Sequence, residues 1–271
     1  MFALTANFKV AHYRILSVTY SSRMLLRAVL IAVLSGYQYG GTFVAAIICQ
    51  DGVIVASDSR VTFSDAEGHA FGYVDGFAKI YVDRGAAVAV TGSTGVEGEL
   101  FSSFVNRNRF LLDRPVNEIL FGFGLYLPIA NSSNVGMISA GFLDGKPMIC
   151  SKSPVIPQSC VNSGYISNKD SALLRDTLMK LGHVPSTGEA ASALKLAIEA
   201  YSLSDPAVGG PISILKLTNS GAPDWLANPF LNSSSTRICD VVREYRAGLR
   251  RIMPLTTTAD LDHHLDAACA K

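Results

Sequence analysis

From residue 42 onward the chain alternates between apolar runs of strand length and longer stretches with helical spacing. Residues 42–49 (TFVAAIIC) form an unbroken β-rich run. Gln50, Asp51 and Gly52 are a turn signal, and residues 53–57 return as a second strand. Residues 79–82 and 86–91 repeat this arrangement around Asp83, Arg84 and Gly85. Small residues at 92–95 then interrupt the pattern, and the spacing predicts a helix over 96–106. A second helix is expected over 116–125 despite Gly122 and Gly124. A third hairpin follows, 135–143 and 146–151, turning at Asp144 and Gly145. Residues 171–181 and 189–203 have helical periodicity, and 212–217 reads as a last strand. Beyond residue 222 the chain becomes polar, and 236–252 reads as a basic amphipathic helix. Antiparallel hairpins with helices gathered between them favour two sheets covered by helices on their outer faces. Alternating βα units are absent, which argues against a doubly wound parallel sheet.

Composition supports an ordered chain with much buried sheet. Of 271 residues, 49% are hydrophobic and 17% charged, with a formal net charge of +1. This balance gives no electrostatic reason to expect nucleic acid or a membrane surface as partner. The low charge density suggests that other subunits cover part of the surface. The five cysteines, Cys49, Cys150, Cys160, Cys239 and Cys269, show no metal-ligand spacing. Cys49 and Cys150 sit in apolar runs as small hydrophobes, and reduced thiols in a cytoplasmic setting are the simpler expectation. Residues 24–34 (MLLRAVLIAVL) are too few to span a bilayer; they suit a propeptide helix or the core of a signal peptide, in which case the chain is exported. The chain is thus divided into a leader or propeptide (1–41), a main domain (42–221) and a partly helical C-terminal extension (222–271).

Candidate chemistry concentrates at the start of the main domain. Residues 41–60 read GTFVAAIICQDGVIVASDSR, in which Asp58 lies sixteen residues after Thr42 and Arg60 follows it. Lys79 precedes an aliphatic residue, Ile80, and residues 89–95 read AVTGSTG. As a set, these features resemble the start of mature proteasome β-subunits and of the related bacterial ATP-dependent ring protease. The separation of Thr42 and Lys79 is about five residues longer than in that family, and the extra loop is expected within 64–76. The resemblance implies a four-layer αββα sandwich of the N-terminal nucleophile hydrolase type and a threonine-type peptidase. It implies peptide or unfolded protein as substrate, a homo-oligomeric ring, an ATP-dependent unfoldase as possible partner, and no cofactor or metal.

The chemistry of such a site follows from the residue types. A threonine hydroxyl is a weak nucleophile until a base removes its proton. A free α-amine titrates near 7.7–8.0 and can act as that base, but only if the Gly41–Thr42 bond has been cut. Gly41 tolerates the backbone conformations that self-cleavage needs. A buried Lys79 would lower the pKa of the hydroxyl, and Asp58 would hold Lys79 in place. By resemblance, Ser163, before Gly164, and Asp205 would orient the amine. Val208 stands where the family has a further serine, which puts full peptidase activity in doubt. Ala89 is the expected source of a backbone N–H for the oxyanion. Two alternatives stand beside the peptidase: an amidase of the same fold acting on a small substrate, and a non-catalytic ring subunit.

Overall fold

Among the described residues, fifteen strands and six α-helices are assembled largely from hairpins whose turns the sequence marks. The structure, a computed structural model, describes residues 42–64, 69–92, 95–96, 99–127, 135–153, 157–227, 238–255 and 257–269, all within one unit spanning residues 40–271. In chain order the strands before the first helix are β1 (Val44–Cys49), β2 (Gly52–Ser57), β3 (Val61–Ser64), β4 (Ala70–Val74), β5 (Ile80–Asp83), β6 (Ala86–Gly92), β7 (Gly95–Val96) and β8 (Glu99–Leu100). Helix α1 (Phe101–Arg107), a 3-10 turn (Arg109–Asp113) and α2 (Val116–Tyr126) follow. Next come β9 (Val135–Leu143), β10 (Lys146–Lys152), β11 (Ser159–Val161), β12 (Tyr165–Ser167), α3 (Ala172–Leu181) and α4 (Thr187–Ser204). The chain ends with β13 (Ser213–Leu217), β14 (Asp224–Ala227), α5 (Ile238–Arg246), β15 (Met253–Pro254) and α6 (Thr258–Cys269).

Every strand pair is antiparallel, in two five-stranded sheets, β12-β1-β2-β13-β14 and β11-β10-β9-β6-β5, and a three-stranded one, β15-β4-β3, with β7 and β8 paired separately. The unbroken apolar character of β1 has a simple cause: both of its faces are buried. Ala45 and Ile47 pack with Leu194 and Ile198 of α4 and Leu174 of α3. Val44, Ala46 and Ile48 pack with Ile80, Ala89 and Ile138 of the second sheet. The other face of that sheet, through Val88, Val90 and Met137, receives Phe104 of α1 and Ile119, Leu120 and Phe123 of α2. Alternation along each strand therefore sorts residues between two apolar environments rather than between core and water.

The hairpins and the later helices follow the sequence pattern closely; the first helix and the tail do not. Residues 95–96 and 99–100 form the short β7–β8 pair, so α1 begins only at Phe101 instead of at 96. Of the amphipathic stretch 236–252, only Ile238–Arg246 is helical among the described residues. Within 64–76, the stretch where an extra loop is expected, the described residues are the end of β3, the strand β4 and the residues beside it. β4 pairs with both β3 and β15, and Phe63, Phe71 and Val74 of β3 and β4 pack against Val241, Val242, Leu261 and Leu265 of α5 and α6. Side chains of α5 and α6 thus build a separate apolar core with β3 and β4, while β14 lengthens the first sheet beside β13.

The expectation of reduced cysteines is corrected. Cys150 and Cys160 are opposed across β10 and β11 and form a disulfide. A second disulfide joins Cys239 in α5 to Cys269 at the end of α6. Strand register and helix packing select these partners, and neither is visible in residue spacing. Cys49 is the free cysteine, buried, with its thiol pushed up to about 12, first by burial and then by Asp51.

Capping explains where α3 and α4 begin. The Ser171 hydroxyl accepts from Leu174 N–H (3.2 Å), and Ser186 with Glu189 forms a capping box at the start of α4. The β1–β2 turn ties into the same point. Asp51 accepts from Lys216 Nζ (2.9 Å), Thr187 N–H (3.0 Å) and Thr187 Oγ1 (2.9 Å). Gly52 is required beside it, because a Cβ would stand 2.3 Å from the Leu217 carbonyl oxygen.

Two predictions follow from these contacts. The Lys216 ammonium, with the Thr187 donors, holds the Asp51 carboxyl at about 2, against an ordinary value of 3.8. A carboxylate lowered in the folded state contributes stability above its unfolded pKa and loses it as pH falls through the folded one. Asp51→Asn should therefore melt below the wild type at neutral pH, and the gap should close between about pH 4 and pH 2. A gap independent of pH would contradict this assignment. For the cysteines, alkylation of the denatured but unreduced chain should add one label, at Cys49, against five after reduction. Uptake of three or five labels before reduction would refute the pairing.

Candidate active site

Thr42, Asp58 and Lys79 meet at the end of the space between the two large sheets. The last register pair of the first hairpin is Val44 with Ser57, so the next residues outward, Phe43 and Asp58, also lie opposite each other. Asp58 N–H donates to the Phe43 carbonyl (3.1 Å) and Phe43 N–H donates to Asp58 Oδ1 (2.9 Å), prolonging the ladder by one step. Lys79 immediately precedes β5 of the other sheet, where its carbonyl accepts Val90 N–H (3.0 Å). Its Nζ lies 3.0 Å from Thr42 Oγ1 and 2.9 Å from Asp58 Oδ1. Thr42 and Lys79 are each 2% exposed and Asp58 is 0% exposed, so water screens none of these contacts.

The electrostatics of the trio rest on Asp58. Its Oδ1 accepts from Lys79 Nζ and Phe43 N–H, and its Oδ2 from Gly209 N–H (3.0 Å) and Arg60 N–H (3.2 Å). Four donors around one carboxylate fill its lone-pair capacity, which is what a fully buried charge needs. Burial pulls the Lys79 ammonium below its ordinary value, and the charge and hydrogen bond of Asp58 push back. A cation in this position can stabilise negative charge forming on Thr42 Oγ1, and in its neutral form it can accept a proton from that oxygen.

The remaining sequence candidates fall into place unequally. Asp205 caps the C-terminal end of α4, accepts Ala207 N–H (3.0 Å) and lies 3.5 Å from Lys169 Nζ. It approaches the trio through its loop: Pro206 carbonyl accepts Arg60 Nη1 (2.7 Å), and Gly209 N–H reaches Asp58. Ser163 is exposed in the turn between β11 and β12, next to Gly164, whose carbonyl accepts Ile48 N–H (2.9 Å). That is the opposite end of β1 from Thr42, so the structure does not bring Ser163 to the trio. Ala89 is buried midway along β6, between Ile80 and Ile138 on the flanking strands, rather than at a sheet end. Val208 is fully buried in the apolar cluster of α3, α4 and β1. Gly41, and with it the Gly41–Thr42 bond, lies outside the described residues.

One neighbour of Thr42 escaped the sequence reading. Asn168 Nδ2 donates to the Thr42 carbonyl (2.7 Å), and its Oδ1 accepts Val44 N–H (2.7 Å). Asn168 N–H also donates to the Val44 carbonyl (3.1 Å), continuing the β1–β12 pairing to the nucleophile candidate. In sequence it is one polar residue in the loop Ser-Asn-Lys-Asp, and only the register of β12 against β1 singles it out. Among the described residues, no cluster of three or more His, Cys, Asp or Glu side chains converges as a metal would require. Two surface cavities, of about 410 Å³ beside Ile47, Tyr165 and Leu178 and about 330 Å³ beside Arg114, Phe142 and Asn219, are not lined by the trio.

No family model matches the chain, and no curated protein matches it. Solved structures do resemble it. Anbu from Hyphomicrobium sp. strain MC1, in a form described as a (Gly-1) mutant, superposes with a TM-score of 0.54 at 16% identity, over 85% of this chain and 97% of that one. A second structure of Anbu from the same strain gives 0.54 at 15% identity, over 84% and 97%. Anbu (ancestral beta-subunit) from Yersinia bercovieri gives 0.50 at 13% identity, over 69% and 87%. These structures correct the family read from sequence: the neighbours are Anbu proteins, proteasome-like but a family distinct from proteasome β-subunits and the bacterial ATP-dependent ring protease. The threonine, aspartate and lysine at their spacing were too few positions to separate related families that share a fold. At 13–16% identity the likeness establishes a proteasome-related fold, a mixed arrangement of antiparallel sheets and helices.

Proposed function

We propose that this chain is a threonine-type hydrolase of peptide or amide bonds, with Thr42 as its N-terminal nucleophile after cleavage of the Gly41–Thr42 bond. In this reading the helices packed on each large sheet, and the apolar layer between the sheets, are a four-layer αββα sandwich of the N-terminal nucleophile type. The observation that carries the proposal is the contact of Lys79 Nζ with Thr42 Oγ1 at 3.0 Å, backed by Asp58 at 2.9 Å. A buried lysine–aspartate pair costs desolvation energy that an apolar pair would avoid. Its placement against a hydroxyl gives that cost a chemical use.

The steps follow from the groups present. The freed α-amine of Thr42 takes the hydroxyl proton while Lys79 stabilises the charge that forms on Oγ1. The oxygen attacks the substrate carbonyl carbon, and the amine fragment leaves with that proton. The resulting ester is hydrolysed by water, which restores the hydroxyl. Asn168 supports this by fixing the Thr42 carbonyl and Val44 N–H, so the backbone behind the nucleophile does not drift. A second reading, a non-catalytic subunit of an oligomer, draws on Val208 and Ser163. The first gives its side chain to the core, and the second points into a turn away from Thr42, leaving the amine fewer side chains to orient it.

The test is made on the purified chain. Intact mass and N-terminal sequencing should show a chain that begins at Thr42 and hydrolyses small peptide or amide substrates. Thr42→Ala should retain residues 1–41 and lose hydrolysis completely, whereas Lys79→Met should lower it by about 10²-fold or more. A chain that keeps its first 41 residues and hydrolyses nothing would leave the non-catalytic reading in its place.

A further inference from the structure

The segment that carries Asp58 is joined to two others by one side chain. The Arg60 guanidinium forms a two-bond pair with Asp75, Nε to Oδ1 at 2.7 Å and Nη2 to Oδ2 at 3.0 Å. Its Nη1 donates to the Pro206 carbonyl at 2.7 Å, and its carbon lies 3.6 Å from the centroid of the Tyr73 ring. Gly209 faces the guanidinium so closely that a Cβ there would stand 2.7 Å from its central carbon. The Arg60 side chain is 14% exposed, so these three hydrogen bonds are made in a largely dry setting.

The three segments in this clamp are those that place the trio. Residues 58–60 hold Asp58 and, through Arg60 N–H, donate to Asp58 Oδ2. Residues 205–210 supply the Gly209 N–H that donates to the same oxygen, and Gly209 carbonyl accepts Ser59 N–H (3.1 Å). Asp75 stands four residues before Lys79. The intervening backbone is pinned by Gly76 N–H and Phe77 N–H on the Ser59 carbonyl, at 3.0 and 2.9 Å. On its far side, the clamp reaches the three-stranded sheet: Tyr73 lies in β4, opposite Met253 of β15, and Phe77 lies under Arg250 at 5.1 Å.

We propose that Arg60 is a positioning residue: clamped between Asp75 and the Pro206 carbonyl, it holds Asp58 against Lys79 and makes the sheet formed by β3, β4 and β15 a structural support of the trio. The proposal deepens the hydrolase reading and rests on it only for its catalytic consequence. The physical content is that two of the three backbone donors to Asp58, the amides of Arg60 and Gly209, lie on segments beyond the ends of β2 and α4, whereas the third, Phe43, sits at the start of β1. A bidentate arginine locks both of those segments at once, which a lysine cannot do because it offers a single charged nitrogen.

The charges that act on Lys79 are Asp58 and Asp75, which raise its pKa, and Arg60, which lowers it. This separates a positioning role from a purely electrostatic one. Removing the Arg60 charge raises the Lys79 titration if Arg60 acts through its field alone. It lowers that titration if Asp58 is released, because a buried ammonium then loses its partner. The experiment follows the Lys79 side chain by NMR in the full chain with isotope-labelled lysine, its signal assigned by its loss in Lys79→Arg. In Arg60→Met, and in the charge-preserving Arg60→Lys, the Lys79 midpoint should fall by about one unit or more. Asp58→Asn should move it in the same direction. A midpoint unchanged in Arg60→Lys, or raised in Arg60→Met, overturns the proposal; if Arg60→Met does not fold, Arg60→Lys alone decides. Where hydrolysis is measurable, Arg60→Lys should lower kcat by about tenfold or more with little change in KM. A wild-type chain without hydrolysis would defeat the hydrolase reading and leave the titration result to stand or fall independently.

Discussion

Everything around the candidate site is arranged to keep one ion pair buried. Asp58 and Lys79 come from different sheets and meet where water does not reach, at 0% and 2% exposure. Breaking such a pair from one side costs about 3–5 kcal/mol, because the remaining charge is stranded. The chain meets that requirement with backbone amides from Phe43, Arg60 and Gly209 and with the lysine itself. Each of these donors fixes a segment: the start of β1, the end of the β2 extension and the loop after α4. The position of Thr42 is a consequence, since it is the residue next to Phe43 and faces the inter-sheet layer as Val44 does.

The parts of this arrangement that were legible in the sequence are local or depend on fixed spacing. The β1–β2 hairpin was marked by its turn, and a hairpin with a known turn sets which residues oppose each other. That carries Asp58 to Thr42 without any tertiary knowledge. Lys79 was legible only through the resemblance, because the hairpin of Asp83 and Gly85 belongs to the other sheet and does not by itself bring Lys79 to Thr42. Ser163 failed where register had to be guessed. The turn at Gly164 binds Ile48, and the chain then runs back along β1 as β12, so the residue that reaches Thr42 is Asn168, four positions beyond Gly164. Nothing in the sequence states where β12 pairs.

The three-stranded sheet was hidden for a different reason. Strands β3 and β4 are short, and their partner β15 is only two residues long and lies almost two hundred positions later. Its apolar core, in which Phe63, Phe71 and Phe77 meet Val241, Val242, Leu261 and Leu265, exists only when segments far apart in the sequence are brought together. Read along the sequence, residues 61–77 and the polar tail show no relation to each other. In the fold they are two halves of one structure, and the Cys239–Cys269 bond closes its helical half. The stretch between Asp58 and Lys79 is thereby packed against the later segment, through β15 and the helices α5 and α6.

Val208 shows how a site can keep its geometry when a side chain changes its allegiance. The valine is fully buried among Phe43, Leu194 and Ile198, where it adds to the apolar layer under α4. A serine there would place a hydroxyl in that layer and give up the area. The same loop still serves the ion pair, because its contribution is the amide of Gly209, and an amide does not depend on which residue precedes it. Lys79 has no such freedom: its contact with Thr42 runs through the last atom of its side chain. The candidate site is therefore tolerant at Val208, whose side chain takes no part in the ion pair, and intolerant at Lys79, whose side chain does, and at Gly209, where a Cβ would meet Arg60.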